Sequence, residues 1–160
     1  MHIAVRLMKK KDLKKLAEIY VRVYKKFDVG ERWNQKSAQK LLVYWFRRQP
    51  DLAFVAEHHR KVIGAFVAGI KPWWNGNHLV DGEIFVDPDY QKKGIGTLLS
   101  KTMFKEALRK YKAKVWIAYT FKKYEFPLKL YKNLGFDEMK EWTIIYGDIK
   151  KALKKLEKKM

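Results

Sequence analysis

Apolar positions recur along this chain with two alternating periods. His2 to Leu7 alternates, with Ile3, Val5 and Leu7 on one side, which predicts a strand. From Lys9 to Phe27, Leu13, Leu16, Ala17, Tyr20, Val23, Tyr24 and Phe27 return every three or four residues. That predicts an amphipathic helix with a lysine face, stopped at Asp28-Val29-Gly30. A second helix is expected from Lys36 to Arg48, striped by Leu41, Leu42, Trp45 and Phe46, with Ser37 capping its start and Pro50 beyond its end. Leu52 to Glu57 and Val62 to Ile70 read as a hairpin across His58-His59-Arg60-Lys61. Asn75-Gly76-Asn77 is a turn signal leading into a strand from His78 to Val86, so three strands form a meander. A helix from Gly94 to Lys110, a strand from Lys114 to Tyr119 and a short helix from Phe126 to Asn133, ended by Gly135, follow. A strand from Trp142 to Ile149 and a basic helix from Lys150 to Met160 complete the prediction.

A meander followed by β-α-β crossovers implies an α/β (α+β) fold with a mixed sheet and helices on both faces. The 160 residues, 48% hydrophobic and 15% aromatic, suit a single domain over 1–160 with one core. The absence of cysteine excludes disulfides, thiol nucleophiles and cysteine-ligated zinc. His2, His58, His59 and His78 have no metal-ligand spacing. No secretory segment is legible at the N-terminus, and the longest apolar run, Val62 to Ile70, is broken by Gly64 and Gly69. The expectation is a soluble cytoplasmic protein with no membrane partner. The net charge of +19, from 36 Lys+Arg against 17 Asp+Glu, favours a polyanionic partner or a phosphorylated cofactor, and is spread along the chain as a lysine-rich surface.

The chemistry concentrates between Phe85 and Thr97. There a strand passes through Asp87-Pro88-Asp89 into a helix opened by Gly94 and Gly96. The first N–H groups of a helix have no partner within it. Glycines let a bulky anion approach the backbone, and the helix dipole favours negative charge. Gln91, Lys92 and Lys93 add donors and charge, so a pyrophosphate fits. The Walker loop is ruled out because Gly-Lys-Ser/Thr is missing, and the dinucleotide fingerprint because Leu99 stands where its third glycine belongs.

Val86-Asp87-Pro88-Asp89-Tyr90-Gln91-Lys92-Lys93-Gly94-Ile95-Gly96-Thr97-Leu98-Leu99 resembles the acyl-CoA motif of the GNAT family of N-acyltransferases. Leu130-Tyr131-Lys132-Asn133-Leu134-Gly135-Phe136 resembles a second signature of that family, in the expected order. The resemblance implies a mostly antiparallel sheet whose strands near Val86 and Tyr119 splay apart to admit acetyl-CoA. It implies that Phe85 and Val86 offer main-chain groups to the pantetheine arm, with the Val86 N–H as oxyanion donor. It further implies that Gln91, Lys92, Lys93, Gly94, Ile95, Gly96 and Thr97 hold the pyrophosphate. Tyr124 stands where the family often carries an asparagine that contacts the same arm.

N-acetyl transfer needs a deprotonated amine, a stabilised oxyanion and a proton for the thiolate. Tyr131 is the candidate acid by resemblance. Glu83, on the strand before the loop, is the candidate base, with Asp81 on its face by the two-residue period and water as the other choices. The acceptor is an amine of unspecified identity. Its groove is expected near Trp33, Trp45, Trp73 and Trp74, and the overall charge points toward neutral or acidic acceptors. A homodimer stays open. So does a nucleic-acid- or protein-binding module on the same scaffold, because Lys150, Lys151, Lys154, Lys155, Lys158 and Lys159 give the last helix a basic face.

Overall fold

In the computed structural model, which describes residues 2–158 apart from the Phe126 side chain, the alternating N-terminal segment forms β1 (Ala4–Leu7). The first amphipathic run forms α1 (Leu13–Lys26) after a 3-10 turn at Lys10–Asp12. α2 (Gln35–Arg48) starts earlier than predicted because Asn34 caps it. The Asn34 side chain accepts from the Ser37 N–H, and the Ser37 hydroxyl accepts from the Asn34 N–H. The meander is β2 (Ala53–His58), β3 (Lys61–Trp73) and β4 (Gly76–Val86), each antiparallel to the next. β3 and β4 extend beyond the predicted limits because the chain reverses at Trp74-Asn75. α3 (Ile95–Tyr111) then leads to β5 (Val115–Ile117), shorter than predicted and parallel to β4, which closes the sheet order β1-β2-β3-β4-β5.

Helices cover both faces of this sheet. Val55, Ala65, Val67 and Phe85 pack against α1 and α2 through Leu16, Ile19, Tyr20 and Leu42. Phe54, Ile63, Phe66 and Leu79 pack against α3 through Leu99, Met103 and Ala107. Because both faces are covered, β2 reads as a continuous apolar run from Ala53 to Ala56. Each fully buried Leu, Ile or Phe contributes about 1.5–3 kcal/mol against exposure.

Two irregularities set the course of β4. Opposite Ala68, the register steps from Val67↔Glu83 to Gly69↔Val80, so β4 carries an extra residue. Asp81 (φ 49°) and Gly82 (φ 91°) absorb it in left-handed conformations. This bulge breaks the two-residue count by which Asp81 was expected on the Glu83 face. The second irregularity is the short parallel ladder, His78–Val80 against Val115–Ile117. From Asp81 to Val86, β4 has no ladder partner on that side among the described residues, which is the expected splay.

Residues from Lys122 onward form a second compact unit. It contains α4 (Glu125–Asn133) and α5 (Ile149–Glu157). α4 ends in a left-handed Gly135 (φ 87°), with the Gly135 N–H donating to Lys132 O and the Phe136 N–H to Tyr131 O, 3.0 Å each. That cap explains the Tyr-Lys-Asn-Leu-Gly-Phe pattern, because only glycine enters the left-handed region without strain. The strand expected at Trp142 to Ile149 does not form: residues 142–148 have no regular structure. Ile144, Ile145 and Tyr146 are exposed, and Asp148 caps α5 by accepting from the Lys150 and Lys151 N–H groups. Strand preference is a preference for a packed, paired surface, and this segment has no ladder partner among the described residues. Lys159 and Met160 of the predicted last helix lie outside the described residues. No helix among the described residues is long and apolar enough to cross a membrane.

Candidate active site

β4 leaves the sheet at Asp87, whose buried carboxylate organises the turn. It accepts from the Asp89 N–H at 3.1 Å and from Arg22 Nη1 at 2.9 and 3.0 Å. Arg22 Nη2 also donates to Asp89, at 3.0 Å, so α1 is tied to the turn on two carboxylates. Gln91 Nε2 donates to Val86 O at 3.0 Å, and Lys93 Nζ donates to Asp89 O at 3.0 Å. The side chains of Gln91 and Lys93 thus brace the turn.

The main chain is left open. Lys92 (φ 60°) and Gly94 (φ 76°) are left-handed, and Gly94 caps α3. The N–H groups from Lys92 through Thr97 donate to no acceptor among the described residues. The next one, from Leu98, donates to Gly94 O at 3.0 Å. A Cβ on Gly94 or Gly96 would meet nothing within 4 Å. Gly96 has an ordinary negative φ, so nothing within the chain requires glycine there. Its small size keeps space clear over a row of amides at a helix start, a favourable place for phosphate oxygens.

Of the two expected main-chain donors, the structure turns one outward. The Asp87 N–H donates to Ile63 O at 2.8 Å across to β3. By antiparallel alternation Phe85 also faces β3, while Ile84 and Val86 face the open side. The Phe85 ring lies in the core, edge-on to Tyr20 at 5.2 Å.

Glu83, placed by the bulge on the α1 side, lies under a group of aromatic rings. The Tyr20 hydroxyl donates to Oε2 at 3.1 Å and the Tyr24 hydroxyl to the same oxygen at 3.5 Å. Burial pushes the Glu83 carboxyl up to about 7, with nearby Glu31 and Asp81 adding to the rise and the two hydroxyls opposing it. Trp33 stands edge-on to Tyr20 at 5.1 Å and donates from Nε1 to Glu31 at 2.6 Å. Phe121 lies against Tyr24 at 6.4 Å. Of the tryptophans expected near an acceptor groove, Trp33 joins this neighbourhood. Trp45, on α2, is buried in the core, while Trp73 and Trp74 are exposed at the β3–β4 turn.

Tyr131 and Tyr124 belong to the second unit. Tyr131 sits in the last turn of α4, where its carbonyl is held by the Gly135-Phe136 cap, and Tyr124 is the residue at the helix start.

Residues 13–136 match the model of the acetyltransferase (GNAT) family. The chain belongs to that family. It is 31% identical over 140 residues to the uncharacterized N-acetyltransferase MJ1207 of Methanocaldococcus jannaschii, which covers 84% of this chain but 60% of that relative's length. Among solved structures, a possible acetyltransferase from Clostridium difficile 630 superposes with a TM-score of 0.74 at 19% identity, covering 92% of this chain and 99% of that one. A predicted acetyltransferase from Clostridium acetobutylicum, solved with acetyl-CoA, gives a TM-score of 0.67 at 19% identity, covering 91% and 96%. These likenesses show the GNAT fold.

Sequence reasoning named Glu83 and the loop but passed over Tyr20, Tyr24 and Arg22. The two tyrosines counted only as members of an apolar stripe. Their hydroxyls, one helical turn apart on the buried face of α1, were the available signal, since a buried tyrosine ordinarily finds a polar partner for its hydroxyl.

Proposed function

We propose that this GNAT protein transfers an acetyl group from acetyl-CoA to the nitrogen of a primary amine, by direct attack within a ternary complex. The observation that carries the reading is the row of unpaired N–H groups from Lys92 through Thr97 beneath open space at Gly94 and Gly96. Those residues fit the phosphates of acetyl-CoA. Their amides, with the start of α3 and the charges of Lys92 and Lys93, would hold the pyrophosphate. The Val86 N–H, on the open side of β4, would meet the pantetheine arm or a developing oxyanion. When bound, acetyl-CoA supplies a thioester carbonyl that an amine can attack.

Glu83 is the general base in this reading. A carboxyl with its proton affinity near neutrality can take a proton from an ammonium and release it again, directly or through water. Tyr131 is the general acid by family resemblance, since a phenol ordinarily holds its proton at neutral pH. Tyr124 would contact the cofactor arm from the start of α4. The acceptor amine would meet Glu83, Tyr24 and Trp33.

Two measurements test the proposal. Gly96→Val fills the clear space, and calorimetry should show acetyl-CoA binding weakened by roughly 100-fold, as steric exclusion from a phosphate cradle implies. Normal binding removes the loop from the site. Tyr131→Phe should lower kcat by roughly 10- to 100-fold with acetyl-CoA affinity unchanged, read from thiol release across a panel of amines with mass spectrometry of the products. Unchanged turnover removes Tyr131 from the chemistry.

A further inference from the structure

We propose that Tyr20 and Tyr24 act together as positioning residues for Glu83: they occupy its Oε2 and leave Oε1 as the oxygen that exchanges the acceptor's proton. The proposal rests on Glu83 being the base and adds which of its atoms works and what sets its ionisation. Both hydroxyls reach the same oxygen, at 3.1 and 3.5 Å, and Oε1 accepts no hydrogen bond among the described residues.

The Tyr20 ring cannot swing away. Tyr20 is buried, stacked on Tyr24 at 4.5 Å and edge-on to Trp33 and Phe85 at 5.1 and 5.2 Å. Burial and the Glu83 charge push both phenols well above their usual range, so each hydroxyl keeps its proton and can only donate toward the carboxylate.

The groups facing Glu83 act in opposite senses. Glu31, from the segment between α1 and α2, and Asp81, from β4, disfavour its charge, as does burial. Tyr20 and Tyr24, from α1, favour it. Remove the hydroxyls and only the opposing influences remain. The pair therefore keeps the carboxylate usable near neutral pH while fixing which oxygen faces the acceptor.

Phenylalanine keeps both rings and deletes only the donors. Tyr20→Phe, Tyr24→Phe and the double variant should each be titrated by NMR of carboxyl-¹³C-labelled glutamate, with the Glu83 signal assigned by its loss in Glu83→Gln. The expected result is an upward shift in each, larger for Tyr20→Phe and largest in the double variant. The acid limb of kcat/KM should move with it. At pH 7 the variants then lose roughly three- to ten-fold, as loss of a hydrogen bond to a charged group implies, and recover at pH 9. A merely structural role predicts no recovery. If Tyr20→Phe does not fold, Tyr24→Phe, whose ring is partly exposed, carries the same test. A Glu83 titration that coincides with wild type, or moves down, overturns the proposal. The titration is read without turnover, so it is separate from the base assignment. If Glu83 shifts as expected but Glu83→Gln turns over normally, the tyrosine pair stands as the setter of that carboxyl and the base assignment falls.

Discussion

Two carboxylates pack against α1, Asp12 buried and Glu83 half-buried, and the chain treats them in opposite ways. Asp12 accepts from Arg6 Nη1 and Nη2 at 2.7 and 3.0 Å and from the Lys9 N–H at 2.7 Å, while Arg6 Nε donates to Glu57 at 2.6 Å. Burial alone would raise Asp12, but the guanidinium and the amide overcome it and hold the carboxyl below its usual range. Glu83 receives only phenol hydroxyls, burial prevails, and the carboxyl rises to about 7. Although the chain has 36 Lys+Arg, no lysine or arginine forms an ion pair with Glu83 among the described residues. A carboxylate locked in its charged form holds the first strand to the first helix, and one left titratable can exchange protons. The net charge of +19 predicts neither.

The sharpest way to break this contrast is Glu83→Gln. In the proposed mechanism it lowers kcat/KM by roughly 100-fold and abolishes the rise in rate as pH passes through about 7. Stability should move the other way. A carboxyl raised on folding opposes folding once it is charged, so wild type loses stability from about pH 4 up through 7. The glutamine variant escapes that loss and should be more stable at pH 8 by ~1–3 kcal/mol, with the difference vanishing near pH 4. Denaturant unfolding at the two pH values checks this, and equal stability at both removes the burial argument.

The converse change, Arg6→Met, strips the cation from the locked pair. It should destabilise by about 2 kcal/mol at pH 7, less than for a fully buried pair because Arg6 keeps 25% of its side chain exposed. Asp12 is lowered on folding, so its contribution is full above the ordinary carboxylate range and disappears as pH falls through its folded value. The variant and wild type should therefore converge on acidification. A constant difference down to pH 2 means that packing of the Arg6 stem, rather than charge, carries the effect.

Arg22→Ala gives the smallest change. Arg22 is half-exposed, yet it joins α1 to the turn before the proposed phosphate loop. Losing a half-solvated guanidinium that pairs with the buried Asp87 and the exposed Asp89 should raise KM for acetyl-CoA roughly two- to five-fold and leave kcat unchanged. A fall in kcat at unchanged KM means that Arg22 serves the acceptor side instead.

What the sequence disclosed follows the range of each signal. The Gly94-Ile95-Gly96 start is a local signal and was legible without any fold. Glu83 was legible because it lies a short count up the strand from that loop. Its tyrosine partners were not, since those hydrogen bonds join residues 63 and 59 positions apart. The Trp142 to Ile149 prediction failed for a related reason: alternation marks a segment able to pair, and pairing needs a neighbour that no local window contains. The bulge was half-visible, because Asp81-Gly82 is a turn dipeptide set inside a strand pattern, where an isolated glycine often marks an extra residue.

Gly82 also leaves little room for substitution. Any larger residue would drive its Cβ into the Val67 carbonyl oxygen while already standing in a left-handed backbone. The kink cannot be softened by degrees: a lineage either keeps hydrogen at that carbon or rebuilds the β3–β4 pairing. Variation in chemistry among close relatives should therefore enter through the rings above the carboxylate, which can be exchanged one at a time, while the bend that presents it passes unchanged from one sequence to the next.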